Sequence, residues 1–171
     1  MVLTTGYLLI IRRYGPDGSQ LREFDGGLQP AAIDVLCKNT DSSSLVGAVA
    51  GSDLVDVDLA NFVDGNIPRV HLPSAAAGAN ALGIVLWTEG TKVAGANVWV
   101  RIFGRHPYAK VDGTADVVTG NMLTTHASTA GALQTTTTRG QALARALAGR
   151  TDNSIGALAV LLFDAQNILA T

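Results

Sequence analysis

Residues 97–163 decide the fold, and they read NVWVRIFGRHPYAKVDGTADVVTGNMLTTHASTAGALQTTTTRGQALARALAGRTDNSIGALAVLLF. Short apolar runs alternate there with turns that are rich in glycine, threonine and aspartate. Strands of this length, separated by such turns, are typical of β-barrels and β-sandwiches. The predicted fold class is therefore mostly β, a barrel or a sandwich, preceded by a strand-rich N-terminal part.

One short α-helix is predicted inside this block, over about residues 138–149. Thr138 and Gln141 have the spacing of a capping box, and Gly149 supplies a C-terminal stop. The apolar face of this helix would be formed by Ala142, Leu143, Ala146 and Leu147. A helix this short needs a sheet to dock on. Residues 155–163 follow and are apolar on both faces, as in a strand that is covered on both sides.

The N-terminal half carries weaker strand signals. Residues 7–11 and 20–24 predict a hairpin, and residues 33–37 and 45–50 predict further strands. The low-complexity stretch SAAAGANA at residues 74–81 reads as a loop or linker. We therefore predict an N-terminal β-rich region (1–73), this linker (74–81) and a C-terminal barrel (82–171).

A period-2 pattern surrounds a group of aspartates. Val55, Val57 and Leu59 share one face of a predicted strand, and Asp56 and Asp58 share the other. Such a pattern is typical of a strand with one solvent-exposed face. The alternative is a hard-cation site, since four aspartates fall close together in sequence: Asp53, Asp56, Asp58 and Asp64.

Composition predicts an assembled protein. Hydrophobic residues make up 47 % of the 171 residues and charged residues only 15 %, well below the roughly 25 % of ordinary soluble domains. A monomer of this chain would have few charges with which to cover its surface. Burial of part of that surface against other subunits is therefore favourable. The net charge of −2 gives no electrostatic footprint for nucleic acid.

The N-terminal residues predict no export or membrane insertion. The run MVLTTGYLLIIRRYG has neither the basic region nor the cleavage site of a secretory signal. Its apolar segment is too short to cross a bilayer. The chain is expected to be soluble and to be synthesised inside the cell.

Candidate catalytic and metal-ligating residues are few. His71, His106 and His126 show no metal-ligand spacing, and the single cysteine, Cys37, lies in a predicted strand where a buried thiol is expected. The serines lie in polar loops without a nucleophile-elbow motif, and the glycines do not form a phosphate loop. The expectation is a protein without enzymatic activity, cofactor or metal.

An interaction stripe is predicted on one strand. Val98, Val100 and Ile102 share one face, and Trp99, Arg101 and Phe103 share the other. If the valine face enters the core, the stripe lies outside, and Trp, Arg and Phe are residues enriched at binding hot spots. The alternative is a strand that is buried on both sides.

The order of elements after residue 109 resembles tailed-phage capsid decoration (cement) proteins. The resemblance lies in a strand, the segment VDGTADVVTGNML, a turn at Gly131, a threonine-rich strand and a glycine turn before the last strand. The matching residues are Gly120, Asn121, Met122, Leu123, Gly140, Gln141, Ala142, Leu143 and Gly156. It covers about the last third of the chain.

This resemblance implies a structural virion protein on the outer surface of an icosahedral shell. Such a protein would be a homotrimer that bridges neighbouring major capsid subunits and stabilises the capsid. Two alternatives stay open: a phage tail or head–tail connector component, and a ligand-binding β-module in which Trp87 and Trp99 stack on the ligand.

Overall fold

The computed structural model describes residues 11–14, 31–61, 67–73 and 81–163. Within these residues the chain forms strands connected by turns, which confirms the mostly β prediction. In chain order the strands are β1 (Ile11–Tyr14), β2 (Ala32–Asn39), β3 (Leu45–Gly47), β4 (Leu54–Val57), β5 (Arg69–His71), β6 (Ala81–Val85), β7 (Gly90–Lys92), β8 (Asn97–Asp112), β9 (Met122–Thr125), β10 (Leu133–Thr136), β11 (Ala144–Ala146) and β12 (Ile155–Leu162).

The long strand β8 belongs to two closed circuits of strands. In the first circuit the order is β2, β5, β4, β6 and β8, and β8 pairs back onto β2. In the second the order is β8, β10, β9, β11 and β12, and β12 pairs back onto β8. The fold is therefore two five-stranded barrels that share one strand. Strand β1 extends the first barrel along β2, and β3 pairs with β7 in a separate ribbon.

Each circuit surrounds its own apolar core. The first core contains Val35, Cys37, Leu45, Val55, Val70, Val85, Val98 and Val100. The second contains Leu54, Ala81, Ile84, Ala109, Val111, Val117, Leu123, Leu133, Ala144, Ala146, Leu158, Val160 and Leu162. Strands β4 and β6 supply both cores, because neighbouring strand residues point to opposite faces. Leu54 and Val55 go to different cores, and so do Ile84 and Val85.

The predicted helix over 138–149 is wrong. This segment contains a single 3₁₀ turn, Arg139–Gln141, without a side-chain cap from Thr138, and then strand β11. Strand β11 pairs with β12 on one side and with β9 on the other, so it completes the second barrel. The backbone N–H groups of Leu143 and Ala146 donate to the carbonyls of Leu123 and Asn121. This pairing overrides the helix propensity of alanine, which is only a weak local preference.

The other strand predictions agree better with the structure. The segments 33–37 and 98–103 lie inside β2 and β8, and 155–162 forms β12. Strand β12 is not covered on both sides as expected, because Ile155 and Leu161 are more than a third exposed. The predicted hairpin over 7–24 lies outside the described residues except for β1. So does the linker apart from Ala81, which begins β6, and the domain division stays a prediction.

Gly104 lies where β8 passes from one barrel to the other. It pairs with Ala32 of β2 and with Leu162 of β12. Its φ is +92°, and a Cβ at this position would collide with the backbone carbonyl oxygen of Ala31. Both the backbone conformation and the close approach of β2 therefore require glycine here.

Replacing Gly104 with alanine is expected to destabilise the fold by about 3 kcal/mol, since left-handed strain and a backbone collision add together. Gly120→Ala is the matched control: its φ is +91°, but a Cβ there meets no atom within 4 Å. The control is expected to cost only about 1 kcal/mol. Urea unfolding of both variants measures the difference, and equal losses would show that the contact with Ala31 does not constrain β8.

Candidate interaction surface

The predicted stripe lies on the outer face of β8. Val98 and Val100 are fully buried in the first core, and Ile102 packs against it. Trp99 and Arg101 are half-buried on the opposite side, and Phe103 is 37 % exposed. The alternation of the two faces is confirmed. The assignment of the stripe to partner binding stays a prediction.

Arg101 is held within its own barrel by Asp34. Its Nε and Nη2 donate to the two carboxylate oxygens of Asp34 at 2.7 and 3.1 Å, and its Nη1 donates to the carbonyl of Arg105 at 2.7 Å. Asp34 has no exposed surface. The guanidinium therefore compensates a buried carboxylate and fastens β2 to β8, across 67 residues of sequence.

The aromatic rings beside Arg101 are also engaged. The Arg12 guanidinium lies 3.8 Å from the centroid of the Trp99 ring, a cation–π contact between β1 and β8. The Arg101 guanidinium lies 5.4 Å from the Trp87 ring, which makes edge-on contacts with His106 and Tyr108 at centroid distances of 5.3 and 6.0 Å. Of the three predicted residues, Phe103 is thus the one with the most accessible surface.

The three histidines have separate partners. His106 Nε2 lies 2.9 Å from the carbonyl of Val85, and burial lowers the pKa of His106 to about 4, so its ring is neutral at physiological pH. His126 Nε2 lies 3.0 Å from Asp112, and His71 Nδ1 lies 2.7 Å from the carbonyl of Leu72. No group of three or more potential metal ligands occurs in the part of the chain that the structure describes.

The aspartates are not a solvent-exposed face, so that interpretation is wrong for the three that are described. Asp53, Asp56 and Asp58 are all buried. Asp56 lies in β4, which contributes side chains to both cores, and the other two flank this strand. Asp53 forms an ion pair with Lys110 and accepts the amide hydrogen of Val46 at 2.7 Å. Asp64 lies outside the described residues.

Asp56 and Asp58 differ in their hydrogen bonds. Asp56 lies opposite His71 of β5, and its Oδ1 is buried without a hydrogen-bond partner in the described structure. Burial raises the pKa of Asp56 to about 6, although His71 acts in the opposite direction. Burial also acts to raise the pKa of Asp58, but hydrogen bonds from Thr40 and Asn61 outweigh it and lower that pKa.

Cys37 is buried in the first core, as the sequence predicts. It has no exposed surface, and burial raises the pKa of its thiol to about 12. The thiolate required for nucleophilic chemistry or metal binding is therefore disfavoured at this position.

No helix in the described ranges is long and apolar enough to cross a membrane.

A second outer surface was not found from the sequence. Arg105 of β8, Leu161 of β12 and Arg145 of β11 lie directly opposite one another in adjacent strands, so their side chains share one outer face. Phe103 lies two residues before Arg105 in β8, and Leu147 lies two residues after Arg145, just beyond the end of β11. We call these five residues the arginine–leucine face. The sequence alone does not reveal it, because three distant segments contribute and the local pattern predicts a helix around Arg145.

Comparisons with known proteins identify no family. No family model and no curated protein matches the chain. Among solved structures, the chain is similar to the N base of the head fiber gp8.5 of bacteriophage phi29. The identity is 13 %, the TM-score is 0.43, and the match covers 78 % of this chain and 98 % of that one. At this level the similarity shows neither a family nor a function.

Arg101→Leu is expected to destabilise the protein by about 3 kcal/mol, because it leaves the buried Asp34 carboxylate without its main counter-charge. The double variant Arg101→Leu/Asp34→Leu is expected to lose less stability than Arg101→Leu, since both charges of the pair are then removed. Arg139→Leu, at an exposed position, is the control and should change stability by less than about 0.5 kcal/mol. Thermal or chemical unfolding measures all three, and a double variant less stable than Arg101→Leu would contradict this account.

Asp56→Asn is expected to change how stability depends on pH. The folded pKa of about 6 exceeds the ordinary 3.8, so the unfolded chain releases this proton first and stability falls as pH rises between those values. The variant should lack this decline and be more stable than the parent at pH 7, by about 1–2 kcal/mol.

Asp58→Asn is the control, because its effect on stability at pH 7 is expected to have the opposite sign. Because the pKa of Asp58 is lowered, its ionised form stabilises the folded state at neutral pH, and that contribution is lost as pH falls below the ordinary carboxyl range. Asp58→Asn is therefore expected to be less stable than the parent at pH 7. Unfolding curves between pH 4 and pH 7 compare the two variants; a destabilised Asp56→Asn protein at pH 7 would overturn the assignment.

Proposed function

We propose that this chain is a structural virion protein that decorates and stabilises the icosahedral capsid of a tailed phage. It binds the outer surface of the shell as a homotrimer and bridges major capsid subunits. It acts by binding and not by catalysis.

The observation that carries this proposal is the arginine–leucine face. Phe103, Leu147 and Leu161 are 37 %, 40 % and 38 % exposed. Leu161 lies diagonally between the other two on one sheet face, one strand across and two residues along from each. Soluble monomers rarely expose large contiguous apolar patches, and such patches mark interaction sites. Because the face lies on paired strands, it presents a preformed surface, which lowers the entropic cost of association.

The double barrel fits a bridging role. The two barrels share β8 and so belong to one connected sheet. A mechanical load applied to one barrel therefore passes to the other through β8 and its backbone hydrogen bonds. A capsid under internal pressure from packaged DNA is stabilised by many copies of such a bridge, and this requires only buried surface at each copy.

The resemblance to decoration proteins supports the same assignment in part. Strand β9 begins two residues after Gly120, where the resemblance places a strand. Gly156, where the resemblance places a turn, instead lies inside β12 and pairs with Val111. The helix that it places after Gly140 is replaced by β11. The order of strands in this region therefore agrees with the resemblance better than its predicted helix does.

Co-sedimentation with empty capsids tests the proposal. The purified chain is expected to pellet with shells assembled from the major capsid protein of the phage that encodes it. Binding should saturate near one copy per capsid subunit, as trimers at three-fold and quasi-three-fold positions require. Saturated shells should also melt at a higher temperature than bare ones.

Isolated tails and head–tail connectors of the same phage are the controls. Absence of the chain from the capsid pellet, or its binding to tails or connectors in place of shells, would overturn the capsid assignment. Saturation at a ratio incompatible with trimers would overturn the proposed oligomeric state.

A further inference from the structure

We infer that the arginine–leucine face binds an acidic protein surface that also carries apolar side chains. This inference deepens the proposed function, on which it rests for the identity of the partner, a neighbouring virion subunit.

The face carries positive charge that no acidic residue in the described part of the chain neutralises through an ion pair. Arg105 and Arg145 flank Leu161 across two strand spacings, or about 10 Å. Both arginines are exposed, and neither forms an ion pair with a described residue. Arg145 lies 5.8 Å from the Phe163 ring and makes one long hydrogen bond, at 3.4 Å, to the carbonyl of Gly120.

Acidic groups are scarce on the same strands. Strands β9, β11 and β12 contain no aspartate or glutamate. Strand β8 contains one, Asp112, at its far end and beside His126. Asp34 of the adjacent β2 is buried and bound by Arg101. A bound carboxylate would therefore meet two exposed guanidinium groups without a competing acid on these strands.

The apolar residues specify a protein partner. Leu161 stands between the two arginines, Phe103 adjoins Arg105, and Leu147 adjoins Arg145. Phosphate backbones are bound mainly by many cationic and polar groups, whereas protein interfaces combine arginine with apolar side chains. Two arginines interleaved with two leucines and a phenylalanine match the second pattern.

A second copy docked through the same face fits poorly. In a two-fold contact the same patch meets itself, so arginines would approach arginines. Like charges brought together in an interface cost several kcal/mol. The occupant that this face fits is therefore a different surface, with carboxylates spaced to meet Arg105 and Arg145 and an apolar group to cover Leu161.

Peptide binding tests this chemistry directly. The probe is a short, fluorescently labelled peptide of alternating glutamate and leucine. A glutamate–serine peptide, a lysine–leucine peptide and a single-stranded oligonucleotide serve as comparisons. By fluorescence anisotropy at low salt, the chain is expected to prefer the glutamate–leucine peptide, and its affinity should fall as salt increases.

Charge reversal then identifies the residues. Arg105→Glu/Arg145→Glu is expected to weaken binding of the glutamate–leucine peptide at least about tenfold and to gain binding of the lysine–leucine peptide. Arg139→Glu reverses an exposed arginine outside the face and should change affinity less than about twofold. Arg105→Gln/Arg145→Gln, which keeps side-chain length, replaces the reversal if the melting temperature shows that the glutamate variant does not fold.

Each outcome decides the inference. Unchanged peptide binding by the double variant, equal binding of the serine peptide, or stronger binding of the oligonucleotide overturns it. The capsid assay separates the two proposals: peptide binding without capsid binding overturns the capsid role alone. Capsid binding that the double variant retains overturns the assigned face alone.

Discussion

The backbone hydrogen bonds of β8 are the constraint on which the rest of the structure depends. This strand of 16 residues has two edges, and each edge serves a different partner in each half. The first half lies between β2 and β6, and the second between β12 and β10. Because an unpaired backbone group inside a protein costs free energy, neither barrel can close without its part of β8. The two cores are therefore parts of one cooperative structure.

A layer between two cores has a chemical consequence. Strands β4 and β6 contribute apolar side chains to both cores, and the polar residues of this region, such as Asp56, are removed from water. Asp53 and Asp58 are satisfied by ion pairing or hydrogen bonds, whereas one oxygen of Asp56 has no hydrogen-bond partner among the described residues. The buried charges of this protein are thus structural and local. Among the described residues, the candidate interaction surface lies on the outer faces of β8, β11 and β12.

The sequence predicts the class of this fold well and its closure poorly. Period-2 alternation locates the inward face of β8 from Val98 and Val100, and it places Trp99 and Arg101 outside. It cannot distinguish water from a second core, so it predicts that Asp56 in β4 and the neighbouring Asp58 are exposed, whereas both are buried. Nor can local propensity foresee that the alanines of β11 complete a barrel, since their partners lie at 122–123 and 160–162. For the same reason, because the contributing residues are far apart in sequence, neither the Arg101–Asp34 ion pair nor the arginine–leucine face can be predicted.

The sharing of β8 also limits how such a protein can vary. A residue inserted into an ordinary edge strand shifts one register, and a neighbouring bulge can absorb the shift. An insertion within β8 would turn its later residues to the opposite face, so that Ala109 and Val111 would leave the second core. Turns such as the one around Gly120 carry no such restriction. Differences in length between variants of this chain should therefore accumulate in its turns, while β8 keeps a fixed number of residues and sets the spacing of the two barrels.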